Sequence, residues 1–454
     1  MSDPSGPLCP LEFRYGRPDV RALFSREARL ARALRVEAAL ADAESAFGLI
    51  PADAARAIGE AANDGRVTLS RVDELEAELK HDVMAITRAL AEAAGPAGAW
   101  VHLGATSADI TDTALALELR DAVAVLQDDL RALLGVLAAI AERERATPEV
   151  GRTHGQHAVP ISFGYKIAVG AAEIARHRRR LRELLPRLAV GKMAGAVGTG
   201  AGFGSAAADV ESRVMASLGL VPDEAPTQIV GRDRIAEFTN WLALVAGTAE
   251  RLATEVRNLQ RTEIGEASEA FDEGRQVGSS TMAQKRNPML AENVTSLARL
   301  VRAFALPPLE NMVQWHERDL ANSANERIVL PHAIVLADDI LTKLASLFEG
   351  LEVHADRMTE NLALAGGAAM TESLLLALTR AGVPRSEAHE ILRRLTRDGS
   401  HGGSLAERAR KEPAITARLS AGEIDRLVDP RTYVEAAAQK TDRVLAEIRR
   451  DLGE

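Results

Sequence analysis

The sequence predicts an all-α fold, because its composition suits helices and its longest uninterrupted patterns have helical periodicity. Hydrophobic residues make up 46% of the 454 residues, yet aromatic residues make up only 3%. The core must therefore be built mainly from Ala, Leu, Val and Ile, and so few aromatic residues favour close-packed helices over strands. At roughly 150 residues per domain, a chain of this length is expected to form about three domains.

The strongest helical signal lies in the segment 112–146. It contains no proline, and its apolar residues recur at steps of three and four, which predicts an amphipathic helix. Three further segments are predicted as long helices: 163–185, 234–263 and 328–353. Helices of this length are stable only when their apolar faces are buried against each other. The sequence therefore predicts an elongated bundle.

Shorter helical patterns, interrupted by glycine and proline, flank the long helices on both sides. This change of pattern predicts three domains. They are an N-terminal helical domain at 1–104, a central long-helix bundle at 105–353 and a C-terminal helical domain at 354–454.

Charge and cysteine content exclude several classes of protein. The 55 basic and 65 acidic residues give a net charge of −10, which argues against a nucleic-acid binder that relies on bulk charge. A single cysteine, Cys9, excludes an internal disulfide framework and fits a reducing compartment. We find neither a signal peptide pattern nor an apolar stretch of about 18 residues. The sequence therefore predicts a cytoplasmic protein without a membrane or nucleic-acid partner.

Four polar segments lie at the ends of the long helices. They are 101–109 (VHLGATSAD), 151–157 (GRTHGQH), 278–288 (GSSTMAQKRNP) and 315–327 (WHERDLANSANER). Taken singly, each has a simpler explanation as a helix cap, a connector or a solvated face. His154 and His157 have no third ligand within their segment, which argues against a metal site.

Taken together and in this order, the four segments resemble the fumarase/aspartase superfamily of lyases. The second and fourth segments are similar to the adenylosuccinate branch, whereas muconate-cyclising relatives commonly have tryptophan in place of His154. The resemblance extends from Arg14 to the segment around 386–389. It implies a three-domain all-α fold whose long helices pool into a tetrameric core, with loops of three subunits at each active site. It implies no metal and no organic cofactor.

The resemblance also implies a reaction, the release of fumarate from adenylosuccinate to give AMP. The succinyl-carboxamide imidazole ribotide of purine biosynthesis would be cleaved in the same way. Ser279 matches the base, although serine needs its alkoxide stabilised to act as one. His154 matches the general acid, which suits an ordinary histidine pKa of about 6.5. Lys285 matches the family lysine, and His81 matches a partner that orients the leaving group or assists the acid.

Two sets of binding residues follow from the same resemblance. Those matched to the succinyl portion and its surroundings are Asp82, His102, Thr106, Ser107, Gln228 and Asn287. Those matched to the nucleotide and its phosphate are Arg14, Tyr15, Arg318, Ser323 and Arg327. Arginine suits phosphate because its planar guanidinium donates two parallel hydrogen bonds.

One signature segment departs from the family pattern, and two alternative functions stay open. Residues 282–285 are Met-Ala-Gln-Lys, where the family usually has Met-Pro-His-Lys. The first alternative is a related lyase that releases fumarate from another N-succinyl adduct in specialised metabolism. The second is a structural protein that has kept only the fold, as lens crystallins resemble the argininosuccinate branch. The intact acid and base argue against this second alternative.

Overall fold

Helices dominate the chain, and the strands are few and short. The computed structural model of the protein describes residues 9–271, 274, 281–282, 284–364, 366–397 and 403–453. The helices before the first strand are α1 (Pro18–Ala22), α2 (Arg26–Ala46), α3 (Ala52–Asn63), α4 (Leu69–Leu79), α5 (Asp82–Ala94) and α6 (Ser107–Arg143). The later helices are α7 (Phe163–Leu188), α8 (Ala207–Leu218), α9 (Asp233–Leu259), α10 (Met289–Ala303), α11 (Leu306–Glu310), α12 (Ser323–Glu349), α13 (Ala355–Ala363), α14 (Thr371–Arg380), α15 (Arg385–Arg397), α16 (Leu405–Lys411), α17 (Pro413–Thr416), α18 (Ala421–Leu427), α19 (Pro430–Tyr433) and α20 (Glu435–Leu452).

The four long helices predicted from periodicity are α6, α7, α9 and α12, so the all-α prediction is confirmed. Two of them begin earlier than their apolar stripes, α6 at Ser107 and α12 at Ser323. The cause is the polar first turn of each helix, because acidic residues near a helix N-terminus interact favourably with its dipole. Asp109 and Glu326 are the acidic residues in these two first turns.

In the described part of the chain, three two-stranded pieces of sheet accompany the helices, and the sequence analysis did not foresee them. Strands β1 (Pro148–Thr153) and β2 (Gln156–Ser162) form an antiparallel hairpin. The remaining strands form a parallel pair, β3 (Val190–Gly191) with β4 (Val221–Pro222), and an antiparallel pair, β5 (Ala267–Ser268) with β6 (Glu352–Val353).

The chain divides into two compact units, each assembled from three separate stretches of sequence. The first unit comprises Met1–Asp129, His177–Gly247 and Ser296–Leu341, and the second comprises Leu130–Arg176, Thr248–Thr295 and Thr342–Glu454. This division follows different boundaries from the three domains predicted above. The three-domain organisation stays a prediction.

Each unit has its own apolar clusters. In the first unit, Leu34, Ile58 and Leu90 belong to a cluster that joins α2, α3 and α5. The other face of α2 packs with α6 and α8 in a cluster that includes Leu117 and Val214. In the second unit, a cluster formed by α14 to α18 includes the following residues: Leu374, Ile391, Leu405, Ile415 and Ile424. Burying such side chains contributes roughly 1.5–3 kcal/mol each.

Among the described residues, no single helix combines the length and apolarity that a membrane span needs. One bent pair, α13 with Ala368–Arg380, meets that requirement on length and composition alone.

Candidate active site

A cavity of about 870 Å³ in the first unit brings together many of the predicted site residues. Eight of them line it: His81, Asp82, Thr106, Ser107, Gln228, Arg318, Ser323 and Arg327. Arg14, Tyr15 and His102 belong to the same unit but not to the wall of the cavity. The cavity falls within the range of roughly 300–1,000 Å³ that is typical of small-molecule sites.

The start of α5 fixes His81. Helix α4 ends at Lys80, whose left-handed backbone (φ +56°) turns the chain, and His81 then caps α5. The Nδ1 atom of His81 accepts a hydrogen bond of 3.3 Å from the backbone N–H of Met84. In the neutral ring the proton therefore lies on Nε2, because the accepting nitrogen carries none. His81 is thus prepared to donate a hydrogen bond through Nε2.

Asp82, the next residue, forms an ion pair of 2.6 Å with Arg327 in the first turn of α12. Burial alone would raise the pKa of Asp82. The hydrogen bond from the backbone N–H of Val83 and the ion pair with Arg327 outweigh it, so the pKa lies below its ordinary value. Asp82 thus orients a cationic side chain on the wall of the cavity.

The N-terminus of α6 presents Thr106 and Ser107 to the cavity, and buried Asp109 holds it in place. The Asp109 carboxylate accepts hydrogen bonds from the backbone N–H groups of Thr106 (2.8 Å), Ala194 (2.9 Å) and Gly195 (3.0 Å). It also forms a fully buried ion pair with Lys192. A helix N-terminus favours a bound anion through its free N–H groups and its dipole.

A buried charge network lies beneath Arg318. Both carboxylate oxygens of Asp112 accept from Arg232, at 2.7 and 2.9 Å, and the Nε of Arg232 donates to Glu326 at 2.9 Å. Burial alone would raise the pKa of Asp112, but Arg232 brings it below its ordinary value. The charge of Arg232 is therefore already matched by two carboxylates.

Arg318 differs from Arg232, because it forms no salt bridge within the described part of the chain. Its Nε atom is buried there without a hydrogen-bond partner. Burial lowers the pKa of Arg318, and nearby Arg232 lowers it further, against the attraction of Asp112. A bound anion stabilises such an unpaired, partly buried cation more than it stabilises a cation that already has acidic partners.

Gln228 joins two segments next to Arg318. Its backbone N–H donates to the carbonyl of Glu317 at 3.2 Å, and its side-chain amide donates to the carbonyl of Ala196 at 2.9 Å. These bonds connect segment 315–327 to the loop around 194–196, whose backbone N–H groups donate to Asp109.

His102 pairs with a carboxylate that sequence analysis missed. Its Nδ1 lies 2.7 Å from Oε1 of Glu37, which is almost fully buried on α2. Burial alone would lower the pKa of His102, but the hydrogen bond and charge of Glu37 raise it above its ordinary value. Glu37 therefore favours the protonated imidazolium.

The N-terminal segment that carries Arg14 and Tyr15 is held by the residues after them. The backbone N–H of Gly16 donates to Asp339 at 3.0 Å. Arg17 forms ion pairs with Asp129 at 2.9 Å and Asp338 at 2.5 Å.

His154 lies in the second unit, at the tip of the β1–β2 hairpin. His154 and Gly155 form a two-residue turn in which both have positive φ, +55° and +72°. This geometry is that of a type I′ turn, which suits the twist of a hairpin. The side chain of His154 is exposed, and it makes no hydrogen bond within the described residues. The imidazole at the tip of the hairpin is therefore accessible to solvent and to a substrate.

The described residues of segment 278–288, which are 281–282 and 284–288, also belong to the second unit. Ser279 lies outside the described residues. Lys285 is exposed, and its backbone N–H donates to the carbonyl of Met282 at 3.1 Å. Asn287 is half-buried, and its carbonyl accepts from the N–H of Met289 at 2.9 Å.

Strained backbone marks these same places. Four described residues other than glycine have positive φ: Lys80, His102, His154 and His316. Left-handed backbone is uncommon outside glycine and often accompanies functional sites. His102, His154 and His316 lie in the segments selected from the sequence, and Lys80 directly precedes the predicted site residue His81.

Sequence analysis missed Asp112, Arg232, Glu326 and Glu37. A usable signal was present for Glu37, because it falls on the apolar stripe of α2 together with Leu34 and Leu40. A charged residue on a buried stripe predicts a specific partner, since unpaired burial of a charge is costly. Among the described residues, no group of three or more His, Cys, Asp or Glu side chains is arranged to hold a metal.

Comparison with known proteins agrees with this arrangement. A lyase family profile matches residues 12–303, and a profile of the adenylosuccinate lyase C-terminus matches residues 367–444. The adenylosuccinate lyase of Pyrococcus abyssi is 45% identical over 96% of this chain and 97% of its own. That of Methanothermobacter thermautotrophicus is 44% identical over 96% of this chain and 98% of its own.

Solved structures show the same fold. A fumarate lyase from Mesorhizobium sp. BNC1 superimposes with a TM-score of 0.87 at 33% identity, covering 95% of this chain and 98% of that one. A 3-carboxy-cis,cis-muconate lactonizing enzyme from Pseudomonas putida gives 0.86 at 35% identity, covering 96% and 98%. The predicted resemblance is therefore confirmed: this chain is a carbon–nitrogen lyase of the fumarase/aspartase superfamily and belongs to the adenylosuccinate lyase family.

Proposed function

We propose that this lyase cleaves adenylosuccinate to AMP and fumarate in the cytoplasm. We propose that it also releases fumarate from the succinyl-carboxamide imidazole ribotide of purine biosynthesis. The observation that carries the proposal is the cavity of the first unit, which Arg318 and the N-terminus of α6 both line. Arg318 forms no salt bridge with any residue that the structure describes, and its Nε atom has no hydrogen-bond partner there. Together, Arg318 and the N-terminus of α6 offer two anion-binding positions, one for a phosphate and one for a succinyl carboxylate.

The elimination needs a base, an acid and a place for transient charge. Ser279 removes a proton from the succinyl carbon next to a carboxylate, and that carboxylate takes up the charge as an aci-carboxylate. Lys285 and Asn287 stabilise this dianion. The electron pair then forms the double bond of fumarate as the carbon–nitrogen bond breaks, and His154 delivers a proton to the departing nitrogen.

His81 serves the departing group without being its main acid. The hydrogen bond that its Nδ1 accepts from Met84 leaves an Nε2–H donor at the wall of the cavity. Such a donor holds the leaving nitrogen or a ring atom in line with the acid, which lowers the entropic part of the barrier.

We propose a homotetramer in which neighbouring subunits complete each active site. The apolar side chains exposed between α11 and α12 support it, including Val313 (71%), Trp315 (76%) and Leu320 (71%). Exposed apolar patches of this kind mark surfaces that another protein covers. The exposed side chains of His154 and Lys285 also fit groups that act in a site completed by another copy.

The activity is tested by incubating purified protein with adenylosuccinate and following fumarate and AMP together. We expect both products in equal amounts, and none from a Ser279→Ala protein. Turnover of adenylosuccinate and of its dephosphorylated nucleoside is then compared. Equal kcat/KM for the nucleotide and the nucleoside would contradict a nucleotide substrate. It would support the alternative lyase of specialised metabolism, which is considered because Gln284 differs from the residue usual in the family.

Shared active sites are tested by mixing two inactive variants. His154→Ala and Ser279→Ala proteins are combined after mild dissociation, so that hybrid tetramers form. Sites that take His154 from one chain and Ser279 from another regain activity if sites are shared. A stable monomer with full activity would contradict the arrangement.

A further inference from the structure

A bidentate ion pair between Arg152 and Glu266, in the second unit, links the hairpin that carries His154 to the start of the segment that carries Ser279. Arg152 lies on β1, close before His154, and its Nη1 and Nη2 atoms donate to the two carboxylate oxygens of Glu266 at 2.6 and 2.7 Å. The Glu266 side chain is fully buried, and that of Arg152 is 16% exposed. Glu266 directly precedes β5, after which the chain continues to Ser279 and Lys285.

Glu266 is held on several sides besides Arg152. The side-chain amide of Asn361 on α13 donates to its Oε1 at 2.7 Å. Its backbone N–H donates to the carbonyl of Leu259 at 3.0 Å, and its own carbonyl accepts from the N–H of His354 at 3.0 Å. Burial alone would raise the pKa of Glu266, but Arg152 and Asn361 bring it below its ordinary value. Glu266 is therefore a fixed, ionised anchor.

A second cation makes this pairing selective. Lys166 on α7 pairs with Glu255 at 2.5 Å and lies 3.1 Å from Glu149, whose pKa is raised by burial from 4.5 to about 8. Glu149 lies 3.7 Å from Arg152, too far for a good hydrogen bond, so both arginine nitrogens serve Glu266. Only a guanidinium makes the two parallel bonds that fix both distance and angle.

We propose that Arg152 and Glu266 are a positioning pair for catalysis, one that fixes both the hairpin bearing the general acid and the start of the segment bearing the base, each for the active site to which it contributes. The inference rests on the proposed function, because it takes His154 as acid and Ser279 as base. Neither member of the pair lines the cavity of the first unit, so we expect nucleotide binding to be unaffected by the pair.

The test separates kcat from KM in Arg152→Lys, which keeps the charge and loses the second hydrogen bond. A misplacement of about 1 Å costs on the order of a hundredfold in rate, so we expect kcat to fall about tenfold to a hundredfold. KM should stay within about threefold of the wild type. Arg251→Lys is the matched control, because Arg251 pairs with Glu173 and not with Glu266, and it should leave kcat unchanged.

Glu266→Gln and the double variant complete the cycle. If the two residues act as one pair, the double variant is no slower than the slower single variant. A purely structural pair would lower Tm or tetramer content while kcat per folded tetramer stays at the wild-type value, and that result would overturn the proposal. Should Glu266→Gln fail to fold, Arg152→Lys decides alone.

Hybrid tetramers resolve which side of the pair matters. Glu266→Gln is placed either on the His154→Ala chain or on the Ser279→Ala chain before mixing. The His154→Ala chain contributes Ser279 to a hybrid site, so Glu266→Gln on that chain tests the segment that carries Ser279. The Ser279→Ala chain contributes His154, so Glu266→Gln on that chain tests the hairpin. We expect lower recovered activity in both mixtures than without Glu266→Gln, and unchanged recovery in either would contradict the two-sided role.

The proposed function can fail separately from the pair. Wild-type protein is assayed first on adenylosuccinate, and an absence of turnover rejects that substrate. The same variants are then measured on whichever succinyl adduct does release fumarate, where the kcat loss and the unchanged KM are still expected.

Discussion

The cavity of the first unit and the described parts of the proposed catalytic segments in the second unit differ in how far one chain completes them. Eight predicted residues line the cavity, supported by buried partners such as Asp109 and Asp112. The second unit instead exposes His154 and Lys285, whose side chains make no hydrogen bond within the described residues. Folding of one chain thus brings the proposed binding groups together, whereas we propose that the acid and the base act in a site that another copy completes. Mutations in the two regions should therefore change different kinetic constants.

The largest effect is expected at His154 and Ser279. Either alanine variant should lower kcat by several orders of magnitude with little change in KM, because both groups act in the transition state. Steady-state kinetics of fumarate release give both constants. His157→Ala, an exposed histidine on the same hairpin, is the matched control and should stay close to wild type. An unimpaired Ser279→Ala enzyme would overturn the mechanism.

The next effect is expected in the cavity and in KM. Charge-assisted hydrogen bonds contribute about 1.5–3 kcal/mol, so Arg318→Met should raise KM for adenylosuccinate about tenfold to a hundredfold and change kcat little. For the dephosphorylated substrate, the KM values of the variant and the wild type should be similar. Arg56→Met, an exposed arginine on α3, serves as control. If Arg318→Met lowered kcat and left KM unchanged, the expected kinetic difference between the two regions would be wrong.

A smaller effect concerns the stability of the first unit. Glu44 on α2 is buried, neither of its oxygens has a hydrogen-bond partner within the described residues, and burial together with Glu37 raises its pKa from 4.5 to about 8. Between these values the folded protein holds a proton that the unfolded chain releases. The free energy of unfolding therefore falls as pH rises through that window, by at most about 1.4 kcal/mol per pH unit.

Glu44→Gln removes this dependence, because an amide does not ionise. We expect its Tm to exceed that of wild type by an amount that grows as pH rises from about 5 to 8. Differential scanning calorimetry at several pH values measures the gap. Glu27→Gln, an exposed position on the same helix, should show no such trend. A gap that shrinks with rising pH would mean that Glu44 is ionised in the folded protein.

The smallest effect is expected at Gln284 in the second unit. This amide cannot carry a proton, so Gln284→His should change kcat within about threefold if His154 is the acid. The measurement uses adenylosuccinate under the conditions chosen for the other variants. A gain of a hundredfold or more would show that this segment has drifted from the family's substrate.

Periodicity was sufficient to predict the long helices, because their apolar stripes record burial directly in the sequence. The hairpin at His154 was not foreseen, since its turn depends on left-handed backbone at a non-glycine residue. The partners Glu37 of His102 and Arg232 of Asp112 were missed for another reason. They lie 65 and 120 residues away in the chain, so only the folded structure brings each pair together.

The left-handed backbone at Lys80, His102, His154 and His316 has a consequence for protein engineering. Glycine adopts this conformation without the steric cost that a side chain bears there. A thermostability screen blind to turnover would therefore select glycine at Lys80, His154 and His316, whereas glycine at His102 would leave the buried Glu37 without its partner. Libraries built from this scaffold should hold them constant, because at these positions heat tolerance and enzymatic fitness favour opposite residues.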